Sequence, residues 1–289
     1  MANIKELKKK IKSVKGTLKI TTAMKLVSAA KLNRAQTAIQ SSRPYAQELE
    51  ETIRVVSALV QNYSHPYLEE KKDNNRAALL VFTSNKGLCG NYNSSVVKEV
   101  RKMLKTTSED LKVYFIGKKG RDLLKNEVNL GKFYTFSKQD PTYHEIQEIS
   151  KELGSLFGSG EFGKIYVAYN SFKSAISFET TIKQVLPMSM DLEVKEELKK
   201  NFPFDFKYEP APNEILDALI PETYTSSIYT ALLDATASEH GARMSSMDSA
   251  SKNCKEAIRN VTLKMNKMRQ AKITTELIEI ISGAESLNA

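Results

Sequence analysis

Residues 4–60, IKELKKKIKSVKGTLKITTAMKLVSAAKLNRAQTAIQSSRPYAQELEETIRVVSALV, place apolar side chains at a 3,4 spacing. They are Ile4, Leu7, Ile11, Val14 and Leu18, then Leu32, Ala35, Ile39, Ala46, Leu49, Ile53, Val56 and Val60. One register held for so long is a coiled-coil seam and predicts a helix of nearly sixty residues. Most helices are ~11–12 residues long, and one five times longer needs a partner along most of its length. In one place the register lands on polar residues, Thr21, Lys25 and Ser28, while the apolar ones step back to Ile20, Met24 and Val27. Pro44 lacks the amide that would bond the carbonyl of Gln40. Because the register passes through it, a kink or local adjustment is predicted there rather than a helix end.

The partner is found at the other end of the chain. NEILDALIPE, residues 213–222, starts a second helical stretch with no proline after Pro221. In it Met244, Met247, Cys254, Ile258, Val261, Met265 and Met268 keep the same spacing. Its register then reaches Lys272, Thr275 and Glu279, whereas the apolar residues have moved to Ile273, Leu277, Ile280 and Ile281. The interruptions read either as a locally loose seam or polar specificity device, or as a working surface: in an antiparallel pair both are expected at one end of the rod, with the stripe of Ile20, Met24 and Val27 turned toward a third surface.

From Ala77 short apolar runs alternate with helical patterns. AALLVF, a loop TSNKGLCGNYN, SSVVKEVRKMLK, KVYFIG and KGRDLLKNE are followed by KFYTF, a helix around YHEIQEISKEL, the turn FGSGEFG, a strand KIYVAYN and the alternating AISFETTIKQVLP. The alternation is that of an α/β domain. The expected division is 1–60 for the first helix, 75–210 for the globular domain and 211–289 for the return helix. The charged, proline-containing stretch from Asp191 to Pro212 reads as a loop or edge element.

Composition narrows the function. With 289 residues, 41% of them hydrophobic and 27% charged, the chain can bury a core. It has no run of 18 apolar residues, and its start, MANIKELKKK, lacks the apolar block of a secretory signal. The expectation is a chain that stays where it is made and does not span a membrane. Cys89 and Cys254 lack CxxC spacing and read as small buried hydrophobes. His65, His144 and His240 are isolated from one another and read as ordinary surface histidines, so no metal ligand set is assigned. The net charge of +9 is concentrated in residues 1–36, which hold ten Lys or Arg against one acid. Such a helix is either a plain solvated lysine face or a surface for nucleic acid, a membrane or an acidic protein. No aromatics interleave with the lysines, as base stacking would require.

The loop TSNKGLCGNYN follows a strand and precedes a helix, where open α/β sheets often bind phosphate. It has neither GxGxxG nor GxxxxGKS/T, and Gly87 and Gly90 read as residues of a tight turn. With no GxSxG or HExxH motif either, no catalytic residue, cofactor site or metal site is assigned.

Three segments carry a resemblance: KSVKGTLKITTAMKLVSAAKL near the start, TSNKGLCGNYN in the first loop, and NKMRQAKITTELIEIISGAESL at the end. In this order and over the whole chain they resemble the gamma chains of the rotary F-type ATP synthases. The resemblance implies an α/β fold in which a long antiparallel coiled coil of the N- and C-terminal helices carries an inserted Rossmann-like domain. It implies a non-catalytic central-stalk rotor inside a hexamer of alpha and beta chains, with an epsilon-type subunit and a membrane c-ring as further partners and no nucleic acid. Proton flow would turn the rod and drive the beta chains through the states that make ATP; hydrolysis would reverse it. The expected location is the cytoplasmic side of a bacterial membrane.

Position by position, Met24 in TAMK matches the family position beside acidic loops of the beta chain, with Lys25 next to it. Arg269 and Gln270 match a pair that hydrogen-bonds a beta-chain loop, and Thr274 and Glu276 match nearby polar contacts. The sequence departs from the family at Asn85 and Lys86, where Asp and Arg are common, and at Gly241, where Ala is usual. It lacks the cysteine-bearing insert of chloroplast relatives.

Overall fold

The computed structural model describes residues 4–59, 63–71, 73–136, 142–188 and 209–288. In chain order the elements are α1 (Ile4–Leu59), β1 (Arg76–Phe82), α2 (Tyr92–Thr106), β2 (Asp110–Ile116), α3 (Lys118–Leu124), β3 (Asn129–Tyr134), α4 (Tyr143–Gly158), β4 (Lys164–Ser174), β5 (Ser177–Leu186) and α5 (Pro212–Asn288). Most of the charged stretch after Asp191 and the seam position Val60 lie outside the described residues. Two compact units emerge from the contacts, residues 1–29 with 243–289 and residues 30–242.

In the unit of residues 30–242, the run AALLVF of β1 is buried on both faces, as a central strand of a covered sheet requires. Strand order is β3-β2-β1-β4-β5; the first four strands are parallel and β5 runs antiparallel to β4. Alternate residues of β1 serve two cores. Ala78, Leu80 and Phe82 pack with Ile146, Ile149, Leu153 and Phe157 of α4 and with Tyr224, Ile228 and Leu232 of α5. Leu79 and Val81 face Val96, Val97 and Val100 of α2, with Leu124 at the end of α3. The start of α4 is held by a capping box between Thr142 and Glu145.

In the same unit the seam residues Leu32, Ala35, Ile39, Leu49, Ile53 and Val56 are buried. Ile53 and Val56 cluster with Leu216 and Ile220 of α5. Tyr45 donates to Glu222 Oε1 at 3.2 Å and Tyr63 to Asp217 Oδ1 at 2.6 Å, so the two helices run antiparallel here. Helix α1 continues through Pro44, and α5 through Pro221.

Three sequence expectations are corrected. His240 is buried and His65 half-buried, its Nδ1 accepting the Tyr67 amide at 3.1 Å; only His144 is an ordinary surface histidine. Burial lowers the pKa of His65. Cys89 is buried as expected, but Cys254 is only half-buried. Gly241 has a local reason: a Cβ there would stand 2.8 Å from the carbonyl oxygen of Ala175, at the two-residue turn joining β4 to β5.

Alanine normally favours a helix over glycine by about 1 kcal/mol. At 241 the backbone of the β4–β5 turn must move to admit the methyl group, an overpacking cost of roughly 1–3 kcal/mol. Gly241→Ala is expected to lower stability by about 1 kcal/mol in urea unfolding; a gain would show that the turn yields freely.

Candidate functional site

The seam of the unit formed by residues 1–29 and 243–289 holds Leu7, Ile11, Val14 and Leu18 of α1, with Met247, Cys254, Ile258, Val261, Met265 and Met268 of α5 buried or half-buried. Thr21, Lys25 and Ser28 do not rotate out of it. Thr21 and Ser28 are buried, at 7% and 2% exposure, and the seam register runs straight through them. The expected interruption is therefore a polar layer inside a continuous seam.

Thr21 and Lys25 cross-link the layer to α5. Ser251 Oγ donates to Thr21 Oγ1 at 2.8 Å, and Thr21 Oγ1 donates in turn to the Leu18 carbonyl at 3.1 Å. Lys25 Nζ stands 2.6 Å from Asp248 Oδ1, and Lys252 Nζ stands 2.9 Å from Asp248 Oδ2. Asp248, hydrogen-bonded by Lys25 and then by Lys252, has its pKa lowered to about 2. Outside the layer the stripe is apolar and open: Ile20, Leu26 and Val27 are 58–65% exposed, and Met24 is half-buried beside Lys25.

The second interruption has a different cause. From the pairs Thr21–Ser251 and Lys25–Asp248, each step toward the start of α1 is matched by one toward the end of α5, which brings Ile4 level with Met268. Beyond that level α5 meets no described residue of α1, and every residue from Arg269 to Gly283 is exposed. Lys272, Thr275 and Glu279 are thus residues of a single helix, with Ile273, Leu277, Ile278, Ile280 and Ile281 more than half exposed around it. The two interruptions are not at one level. At 1.5 Å per residue, Arg269 lies roughly 30 Å along the helix from Asp248.

The candidate contact residues therefore form two groups. Met24 and Lys25 sit at the polar layer, Lys25 committed to Asp248. Arg269, Gln270, Thr274 and Glu276 all lie on the exposed end. There Thr274 Oγ1 bonds back to the main-chain carbonyl of Gln270 at 3.0 Å, and Glu276 pairs with Lys272 at 3.3 Å. Arg269 makes no ion pair among the described residues. Sequence reasoning missed Asp248, Ser251 and Lys252, whose 3,4 spacing opposite Thr21 and Lys25 was the available signal.

The loop after β1 lies at the C-terminal end of its strand, between the neighbours β2 and β4 where an open sheet offers a crevice. Here the loop binds itself. Asn93 Oδ1 accepts the Ser84 amide at 3.0 Å, Asn93 Nδ2 donates to Ser84 Oγ at 2.8 Å, and Ser84 Oγ donates to the Lys86 carbonyl at 2.7 Å. Leu88 and Gly90 take positive φ in the tight turn. Thr83 Oγ1 accepts the Gly120 amide at 2.9 Å, and position 117 requires glycine because φ is +101° and any Cβ would collide with the Thr83 carbonyl. Asn85 Oδ1 accepts the Lys118 amide at 3.1 Å.

A family model described as ATP synthase matches residues 3–287. ATP synthase gamma chains of Geobacter metallireducens and Lachnoclostridium phytofermentans are each 40% identical, the first over 99% of both chains and the second over 100%. The chain belongs to the ATP synthase gamma-chain family. Among solved structures, a chain of the Tetrahymena thermophila mitochondrial ATP synthase central stalk and c-ring is 26% identical, with TM-score 0.59 over 80% of this chain and 99% of that one. A chain of the Euglena gracilis mitochondrial ATP synthase, at 19% identity and TM-score 0.71 over 98% and 94%, shares the fold. The long terminal helices around a mixed central sheet are thus a gamma-chain architecture.

The polar layer generates two tests. Thr21→Val leaves the buried Ser251 hydroxyl without its acceptor and should cost about 1 kcal/mol in urea unfolding, and adding Ser251→Ala should recover part of that loss. Asp248 has its folded pKa below the ordinary 3.8, so the stability it contributes is complete above pH ~4 and is lost as pH falls toward about 2. The difference in melting temperature between the wild type and Asp248→Asn should therefore shrink steadily from pH ~4 downward.

Proposed function

We propose that this chain turns as the central-stalk rotor of an F-type ATP synthase, with residues 1–60 and 211–289 as the coiled-coil helices and 75–210 as the globular domain. Rotation inside the alpha and beta hexamer drives the catalytic beta chains through their conformational cycle, and proton flow through the membrane sector turns the rod. The chain itself is non-catalytic, and nucleotide chemistry belongs to its partners. An epsilon-type subunit and the membrane c-ring complete the set. The complex is peripheral on the cytoplasmic side of a bacterial membrane; the bacterial relatives support this, as does the lack of a described helix long and apolar enough to cross a membrane.

The observation that carries the reading is the exposed helix from Arg269 to Gly283. A helix that meets no described residue of α1 and holds five large apolar side chains in water is marginal on its own and calls for an enclosing surface. A static scaffold would extend its second helix to cover it. A shaft that turns inside a ring leaves it bare on all sides, because every side must meet the ring in turn. Arg269, Gln270, Thr274 and Glu276 then meet beta-chain loops at this level, and Met24 and Lys25 meet acidic beta-chain loops roughly 30 Å away along the pair. The lysine-rich first helix suits such acidic partners.

Reconstitution with alpha and beta chains, read by ATPase activity and single-molecule rotation, tests the reading: an assembled complex in which this chain does not turn would sink it. Met24→Lys places a second cation beside Lys25 and should reduce ATP-driven proton pumping several-fold while assembly is retained. Unchanged pumping in reconstituted membranes would remove Met24 from the moving interface.

A further inference from the structure

At the polar layer one carboxylate serves two cations. Lys25 Nζ of α1 stands 2.6 Å from Asp248 Oδ1, and Lys252 Nζ of α5 stands 2.9 Å from Asp248 Oδ2. From Lys8 to Ala29 and from Arg243 to Lys255, every other charged residue is a cation. The next acids along the two helices, Glu6 and Glu256, are roughly 28 Å from Lys25 and roughly 12 Å from Asp248 at 1.5 Å per residue. Asp248 is therefore the one acid at the level of Met24 and Lys25.

We propose, resting on the rotor reading above, that Asp248 is a positioning residue that masks Lys25 from the acidic beta-chain loops, so that each loop is released as readily as it is met. Lys25 is 41% exposed beside the open stripe of Ile20, Leu26 and Val27, and a partner that covers the stripe also reaches its ammonium. A bare ammonium there would hold a carboxylate strongly, because covering the stripe strips water from the pair. Asp248 gives Lys25 a permanent counter-charge from the shaft itself. Lys252 holds the other oxygen, which keeps the carboxylate from following Lys25 toward a partner. Hydrogen bonds from Lys25 and then from Lys252 lower the pKa of Asp248 to about 2, so the counter-charge is in place throughout the neutral range.

Register alone does not call for a charge at this position. Thr21 and Ser251 already mark the level with uncharged hydroxyls, and a neutral polar pair at 25 and 248 would mark it again. A carboxylate adds an electrostatic effect that reaches beyond the seam to whatever approaches Lys25.

Single-molecule rotation of the complex reconstituted with alpha and beta chains tests this, at about 20 mM and about 300 mM KCl, since salt screens exposed charges. Asp248→Asn should slow ATP-driven rotation several-fold at the low salt and much less at the high salt. Lys25→Gln added to Asp248→Asn should recover part of the lost speed, although it restores no contact within the seam; a merely structural role for Asp248 predicts no such recovery. Asp248→Ser, which can still accept a hydrogen bond but carries no charge, should slow rotation as Asp248→Asn does, so a folding defect in one variant leaves the other to decide. Wild-type speed in the uncharged variants at low salt, or slowing that neither salt nor Lys25→Gln relieves, overturns the proposal and leaves the rotor reading standing. A wild-type complex that assembles and does not turn overturns both.

Discussion

Long helices of ordinary composition do not persist alone in water, so α1 and α5 depend on the apolar stripe that each buries against the other. That requirement explains the single register of α1, which a one-residue slip would turn out of the seam. It also explains why proline is tolerated inside both helices: tertiary packing on either side supplies what the lost backbone bond withdraws. The sheet depends on the pair in turn, because Tyr224, Ile228 and Leu232 of α5 cover one of its faces.

A seam built only of apolar groups specifies register weakly, since neighbouring registers bury similar area. The layer of Thr21, Lys25, Asp248 and Ser251 is satisfied only when those four residues are level, and a shift along the axis would strand buried polar groups. The same register determines where α1 stops covering α5, and hence where the exposed end begins. Polar layer and bare tip are therefore linked features of one alignment.

The globular domain shows a similar division of labour. Its central strands β1, β2 and β4 are buried by position, and the loop after β1 uses its polar groups to close on itself and to hold the start of α3 through Thr83, Asn85, Gly117 and Gly120. The open crevice of the parallel sheet thus serves a turn.

Much of this was legible in the chain. Periodicity alone disclosed both long helices and the α/β alternation, because spacings of 3.6 and 2 residues are imposed by backbone geometry before any tertiary contact forms. The three recognised segments carried the family, and the apolar shift to Ile273, Leu277, Ile280 and Ile281 was visible as a change of register. What the shift meant was not, because a polar seam position looks the same in sequence whether it faces a partner or water. Only the tertiary structure decided that Thr21, Lys25 and Ser28 lie inside the seam while Lys272, Thr275 and Glu279 face no helix among the described residues. The burial of His240 and the need for glycine at 241 were likewise decided there, since each depends on an element distant in sequence. Local spacing determines which residues can share a face, and only the alignment of two distant helices determines what that face meets.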